Sequence, residues 1–343
     1  HQFQFAGYYA ALEQGYYRDA GVKVTLREGG VGIDPVAEVL AGRAQFGVAG
    51  PELLLARLNG APVVVMAAFF QHSPAVLLVR PESGALVPRD LVGKTLMLSP
   101  SSEPELWAML QAEGVGRDDF TLAAADWDLA KFIDGRVDAM AAYATNTPFL
   151  LSQRGVAFHV IEPMAYGVDF YGDCLFTSED MARQQPEVAR RVLEATRRGW
   201  DYALDHPQEI ISLLLSHYRV NKSPAHLGFE ATSMRQLILP RLVELGHMNS
   251  ERWAHIAETY ARLGMAKPGQ DLAGFLFDPE GRAHAERLRS VIISVGLVLL
   301  VFGGMAVSLL IFNRRLRSLV RRRTADLEAS EGRYRALAAN FPN

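Results

Sequence analysis

The sequence predicts an α/β fold with a helical C-terminal part, followed by a single transmembrane helix and a short coiled-coil helix. Three observations lead there. Short apolar runs alternate with helical periodicity over residues 22–162, the pattern turns almost wholly helical after about Thr177, and residues 291–312 form an uncharged stretch of 22 residues. Strands separated by helices imply mostly parallel sheets buried on both faces.

The expected strands are VKVTL (22–26), QFGVA (45–49), VVVMAAF (63–69), AVLLV (75–79), TLMLS (95–99), DAMAAYA (138–144) and FHVIE (158–162). Helix starts are marked at Asp34-Pro35 and Gly50-Pro51, where a capping residue precedes a proline whose fixed φ suits the first helical position. Amphipathic spacing then predicts helices over 186–206, 207–218, 224–245 and 250–263. With 49% apolar and 21% charged residues in 343, the chain has enough core for about two domains and is not wholly disordered. Its one cysteine, Cys174, excludes an intrachain disulfide framework and any multi-cysteine metal cluster.

The uncharged run VIISVGLVLLVFGGMAVSLLIF reaches about 33 Å as a helix, enough to cross a 30 Å hydrocarbon layer. A buried core helix seldom stays apolar on every face for six turns. Arg314, Arg315, Arg317, Arg321, Arg322 and Arg323 follow the run, against Arg282, Arg287 and Arg289 before it. The positive-inside rule therefore places residues 1–280 outside and the tail in the cytoplasm, with the transmembrane helix over 283–313. Net charge is -3 overall, but residues 313–343 carry +5, leaving about -8 on the rest. The basic tail is read as a topology signal facing the lipid bilayer, and no nucleic-acid partner is expected. The opening His1-Gln2-Phe3-Gln4-Phe5 already reads as folded sequence, so the expectation is a targeting segment removed or not included.

Beyond the span, Leu316, Val320, Arg323, Leu327, Ser330, Tyr334 and Leu337 follow the four-three spacing of a two-stranded coiled coil, which predicts a homodimer through this helix. Arg323 and Ser330 weaken that seam, and a basic helix lying on anionic lipid is the alternative. The segment ADLEASEGRYRALAANFPN resembles the signalling-helix junction that opens a PAS domain in bacterial sensor histidine kinases and diguanylate cyclases. That resemblance implies that residues 314–343 are a cytoplasmic signalling helix, with a kinase or cyclase further on in the full-length protein.

Over residues 1–279 the motifs HQFQFAGYYAALEQGYYRDAGVKVTLREGG, AGRAQFGVAG, NGAPVVVMAAFFQHSPAVLLV, DLVGKTLMLS, YATNTPFLL, YGVDFYGDCLFTSED and GWDYALDHP occur in order. Together they resemble the SsuA-like periplasmic-binding-protein family that includes thiamine-pyrimidine-precursor-binding proteins and the fungal pyrimidine synthase. The resemblance implies a two-lobed, type II venus-flytrap domain in the periplasm over a bacterial inner membrane. Lobe one would comprise 1–79 and 176–278, lobe two 80–175, with a small aromatic heterocycle bound between them.

An aminopyrimidine offers a flat π-face and an edge where an amine adjoins a ring nitrogen, so its site needs aromatic walls and a carboxylate or amide. Aromatic candidates are Tyr8 and Tyr9 in the first helix, and Tyr143, Tyr166, Phe170 and Tyr171 at strand ends or loops. Polar candidates are Gln4, Glu52, Gln71, Ser73, Asn146, Asp169 and Asp173. One of Tyr8 and Tyr9 should face the core, and Phe3 and Phe5 suit the core better than the cleft. Glu52 equally suits a first helical turn, where a carboxylate favours the macrodipole. Gly29-Gly30 serves either a turn or a close backbone approach, and His72 in Gln-His-Ser-Pro is within reach of the same region.

His1, His72 and His159 are too scattered for a metal site, and no cofactor is expected. No G-x-S-x-G, Walker loop or H-E-x-x-H occurs. The fungal synthase carries a cysteine-rich iron-binding stretch where this chain reads PSSEPELW after TLMLS, so catalysis is not carried over. Two functions follow: the ligand-sensing region of a membrane receptor, or a membrane-tethered substrate-binding protein of an ABC importer for a thiamine precursor.

Overall fold

The computed structural model describes residues 2–30, 32–99 and 103–338; side chains at 279–290, 297, 298, 301 and 336–338 lie outside the description. Two compact units are present, His1–Pro279 and Glu280–Asn343.

Among the described residues, eight strands build two sheets in the first unit: β1 (Phe46–Ala49), β2 (Val63–Ala68), β3 (Ala75–Val79), β4 (Thr95–Met97), β5 (Thr121–Leu122), β6 (Ala139–Tyr143), β7 (His159–Ile161) and β8 (Cys174–Ser178). One sheet has the order β1-β8-β2 and the other β5-β4-β6-β3-β7. Mostly parallel sheets were expected, and the pairing corrects this. β8 runs antiparallel to both β1 and β2, β3 runs antiparallel to β6 and β7, and only β4–β5 and β4–β6 are parallel. The reason is topological. β1 and β2 are mutually parallel through the crossover helix Glu52–Leu58, but the chain passes from the first sheet into the second after β2 and returns along β8. A strand that arrives directly from the other sheet has no crossover helix to turn it, so it enters in the opposite direction.

The two passages form a double connection. Phe69 N donates to Asp173 O (3.0 Å), Gly172 N to Phe70 O (3.0 Å) and Ser73 N to Phe170 O (2.9 Å). Gly172 is required there: a Cβ would lie 2.8 Å from Phe70 Cβ and 3.1 Å from the His72 carbonyl oxygen. Residues 22–26 form no strand, β5 and β8 were not anticipated, and Phe3–Phe5 is a 3-10 turn.

Helices follow the sequence signals closely. Asp34 Oδ1 accepts from Val36 N at 2.9 Å to start Pro35–Leu40. Asn249 Oδ1 accepts from Glu251 N and Arg252 N at the head of Ser250–Arg262. Helix Pro186–Asp205 buries Ala189, Val192, Leu193, Thr196, Gly199, Trp200, Ala203 and Leu204, one stripe at steps of three and four. That stripe packs against helix Ala6–Glu13, and Trp200 stacks on Phe69 with centroids 5.5 Å apart. Helix Pro224–Ile238 stops earlier than expected because Leu239 adopts a left-handed φ of 55°.

The second unit is the helix Pro279–Ala338, whose described apolar side chains, such as Leu299, Leu300, Phe302, Leu309 and Phe312, are all exposed. Among the described residues no helix is long and apolar enough to cross a membrane. The run at 291–312 is interrupted in that description at 297, 298 and 301. The last residues of the PAS-like junction, 339–343, lie outside the described residues.

Candidate functional site

Four acidic side chains converge, Glu103, Glu105 and Asp173 each lying close enough to Glu52 to feel its charge. Glu52 opens the helix after β1, Asp173 sits on the return passage just before β8, and Glu103 and Glu105 flank Pro104 at the start of helix Pro104–Ala112. Each has a local reason to be there. Glu52 Oε1 accepts from Gly50 N (2.9 Å) and Glu103 Oε2 from Ser99 N (2.7 Å). Glu105 Oε1 accepts from Ser73 Oγ (2.5 Å), and Asp173 Oδ2 accepts from Gln4 Nε2 (2.5 Å).

Among the described residues no cation compensates these groups, and their protonation reflects it. Burial pushes Glu105 up to about 8, with Glu52 and Glu103 adding to the rise against the pull of the Ser73 hydroxyl. Burial likewise lifts Glu103 to about 7 and Asp173 to about 7, and Glu52 raises both. Glu52 itself is raised, first by burial. Glu105 is only 3% exposed, and among the described residues its Oε2 has no hydrogen-bond partner. A buried carboxyl oxygen left unmatched costs about 1–3 kcal/mol, which a donor arriving in the site would recover.

Tyr143 ends β6 in the middle of this group. Burial raises its phenol well above the usual value, followed by the charges of Asp173, Glu52, Glu105 and Glu103. The residue is nevertheless 36% exposed. A side chain that is surrounded by protein yet open to solvent marks the wall of a cleft. Trp127 adds a second aromatic group, 46% exposed, held at a left-handed φ of 51° and close enough to Glu103 to offset part of the rise in its pKa. A bulky residue at positive φ is strained, and such strain concentrates at functional sites.

Of the residues singled out from sequence, the structure brings together Gln4, Glu52, Ser73, Tyr143 and Asp173. Tyr8 is buried between Phe69 and Trp200, with Asp173 close enough to raise its phenol further after burial has done most. The others are engaged elsewhere. Tyr9 packs on Tyr218 at 4.6 Å, and Gln71 Nε2 donates to Ala68 O and His247 O. Asp169 bridges His72 Nδ1 (2.6 Å) and Arg252 (2.8 Å), while Tyr171 lies under that guanidinium and accepts from Asn249 N. Tyr166 packs half-buried against the core, Phe170 is buried against Tyr260, and Asn146 joins Lys222 and His226.

Glu103, Glu105 and Trp127 were missed. Glu-Pro-Glu reads as an ordinary helix start, and only its place beside an apolar strand end hinted at more. Among the described residues no group of three His, Cys, Asp or Glu could hold a metal ion. A surface groove of about 490 Å³ lined by Leu58, Ala254, Arg262 and Leu272 shares no residue with the acidic cleft.

The family described as NMT1/THI5 like matches residues 2–210 of this chain. The chain belongs to the NMT1/THI5-like family. Among curated proteins it is similar to the formylaminopyrimidine-binding protein of Halalkalibacterium halodurans, 25% identical over 72% of this chain and 78% of that one. It is also similar to the riboflavin-binding protein RibY of Chloroflexus aurantiacus, 25% identical over 78% of this chain and 80% of that one. Among solved structures, the alkanesulfonate-binding protein SsuA of Xanthomonas axonopodis pv. citri superposes with a TM-score of 0.64 at 16% identity, covering 79% of this chain and 94% of that one. The fold of this NMT1/THI5-like chain is therefore the two-lobed α/β periplasmic-binding-protein architecture, and its curated relatives bind small molecules.

Proposed function

We propose that this chain is the ligand-sensing region of a membrane-bound bacterial receptor, whose cleft closes on a thiamine-pyrimidine-like or related aromatic heterocycle. The observation that carries the ligand class is Tyr143 set among Glu52, Glu103, Glu105 and Asp173. An aromatic wall takes the π-face of the ring, and carboxyls poised near neutrality pair with an amine and the adjoining ring nitrogen, as donor or acceptor according to protonation. The ligands named for the two curated relatives, a formylaminopyrimidine and riboflavin, are both flat heterocycles.

Membrane attachment is supported by the 22 uncharged residues at 291–312 and the arginines that follow them, with residues 1–280 periplasmic. Signalling is supported by the PAS-like junction and by the coiled-coil spacing, through which closure in a dimer would bias a kinase or cyclase. The importer reading predicts no signalling domain following Asn343 in the gene, and sequence there decides between the two.

Calorimetric titration of the full chain in detergent should give a Kd of about 1 μM or tighter, ~8 kcal/mol, for a 4-aminopyrimidine or for riboflavin. Failure of well-folded protein to bind either removes the heterocycle claim and leaves the receptor claim. Replacing Trp127 with Ala should weaken that binding about tenfold or more. Unchanged affinity in the same titration would place Trp127 outside the site.

A further inference from the structure

Lobe two touches the C-terminal helices of lobe one through a small polar cluster. Asn146, which precedes helix Thr147–Gln153 beyond β6, presents Oδ1 to Lys222 Nζ (3.2 Å) and His226 Nε2 (2.9 Å). The Phe149 ring stacks on His226 with centroids 4.6 Å apart and planes within 15°. Lys222 is fixed in turn by an ion pair with Glu230, whose other oxygen accepts from Phe3 N at 2.8 Å. Opening the lobes has to break the Asn146 and Phe149 contacts.

The same lysine begins a line of hydrogen bonds that ends in the cleft. Lys222 Nζ donates to Gln2 Oε1 (3.1 Å), Gln2 Nε2 donates to Gln4 Oε1 (2.6 Å), and Gln4 Nε2 donates to Asp173 Oδ2 (2.5 Å). Its direction is fixed by chemistry. An ammonium only donates, so the Gln2 oxygen must face Lys222, its nitrogen must face the Gln4 oxygen, and the Gln4 nitrogen is left for an acceptor at Asp173. Every link points toward the cleft, and linked donors polarise one another in the same sense.

We infer that Gln2 and Gln4 form a directional relay that couples occupancy of the cleft at Asp173 to an interlobe latch made by Asn146, Lys222 and His226. Gln2 and Lys222 are positioning residues: neither is placed against the carboxyls that face the ligand. A ligand that leaves Asp173 an acceptor keeps the relay in register and the latch closed, and release of one end loosens the other.

The test places spin labels on Arg154→Cys and Asp201→Cys, both exposed and one on each lobe, in the full chain, where native Cys174 is fully buried. In ligand-free protein, Asn146→Ala should shift the interlobe distance distribution toward longer values, and Asn146→Asp, a stronger acceptor for Lys222 and His226, should shift it toward shorter ones. Gln2→Leu, whose partners Gln4 and Lys222 both belong to lobe one, should reduce the closed fraction as Asn146→Ala does, and the double variant should lose no more than the larger single. Additive losses, or no shift from Gln2→Leu, overturn the relay. With a 4-aminopyrimidine as probe, Asn146→Ala should weaken binding about tenfold. Only this last arm depends on the proposed ligand: if wild-type protein ignores the probe, the ligand reading fails and the distance measurements still decide the relay.

Discussion

Replacing Glu105 with Gln is expected to raise the melting temperature of the unliganded protein by about 4–8 °C at pH 7–8, while weakening ligand binding at least tenfold. The carboxyl is held up to about 8 chiefly by burial, so in the folded state it resists ionisation that the unfolded chain completes near its ordinary value. The sign follows. Between that ordinary value and about 8 the folded protein binds more protons than the unfolded one, so stability falls as pH rises through this window. Glu103 and Asp173, both at about 7, act in the same sense and steepen the fall.

A neutral amide of the same size removes the Glu105 share, on the order of 2 kcal/mol, and a domain of this size gains about 2–4 °C per kcal/mol. It still accepts from Ser73 Oγ, so packing is preserved. Binding suffers because the amide puts a donor in place of the carboxyl oxygen Oε2, which has no hydrogen-bond partner among the described residues. Differential scanning fluorimetry between pH 5 and pH 8, with calorimetry on the ligand, checks both halves. A pH-independent difference between variant and wild type would show that Glu105 is not the group that titrates.

Gly199→Ala should destabilise lobe one by about 3 kcal/mol or more, enough to lower the melting temperature by roughly 6–12 °C. The position lies mid-helix, where alanine is normally preferred by up to about 1 kcal/mol, so propensity alone predicts the opposite sign. Packing overrides it. A Cβ at 199 would lie 2.1 Å from Gly7 O, 2.6 Å from Ala11 Cβ and 2.8 Å from Ala11 N, and two of those atoms belong to backbone that cannot swing aside. A Cβ added at Gly7 on the facing helix would likewise lie 2.2 Å from Trp200 Cγ, so the two helices approach closely along a pair of glycines. Gly228→Ala, in helix Pro224–Ile238 with nothing within 4 Å, is the control and should be neutral or slightly stabilising. Thermal unfolding of both variants separates packing from propensity, and equal shifts would contradict the close approach.

Much of this molecule can be read locally. The cap at Asp34 needs only the next two residues, and the buried stripe of Pro186–Asp205 needs only its own steps of three and four. The uncharged run at 291–312 and its arginines are likewise a matter of counting. Strands β2 and β3 announce themselves because all their residues are buried and apolar. Residues 22–26 carry a clean alternation yet form no strand, although β1 lies at the edge of its sheet.

The cleft was legible only in part. Asp173 and Tyr143 stood out as polar or aromatic groups at strand ends, whereas Glu103 and Glu105 looked like a favourable helix start. Asp169, Gln71 and Tyr171 looked similar in sequence to the residues that converge, yet Arg252, His247 and Asn249 engage them from a distant helix and its lead-in. By itself, then, the sequence determined most of the elements, the caps at Asp34 and Asn249, and the apolar run, because each depends on spacing within a few turns. Which sheet neighbours run antiparallel, which carboxyls share one cleft, and which glycine has no room for a methyl group were decided by tertiary structure. Those depend on contacts between residues tens to hundreds of positions apart, whose distances no local period encodes.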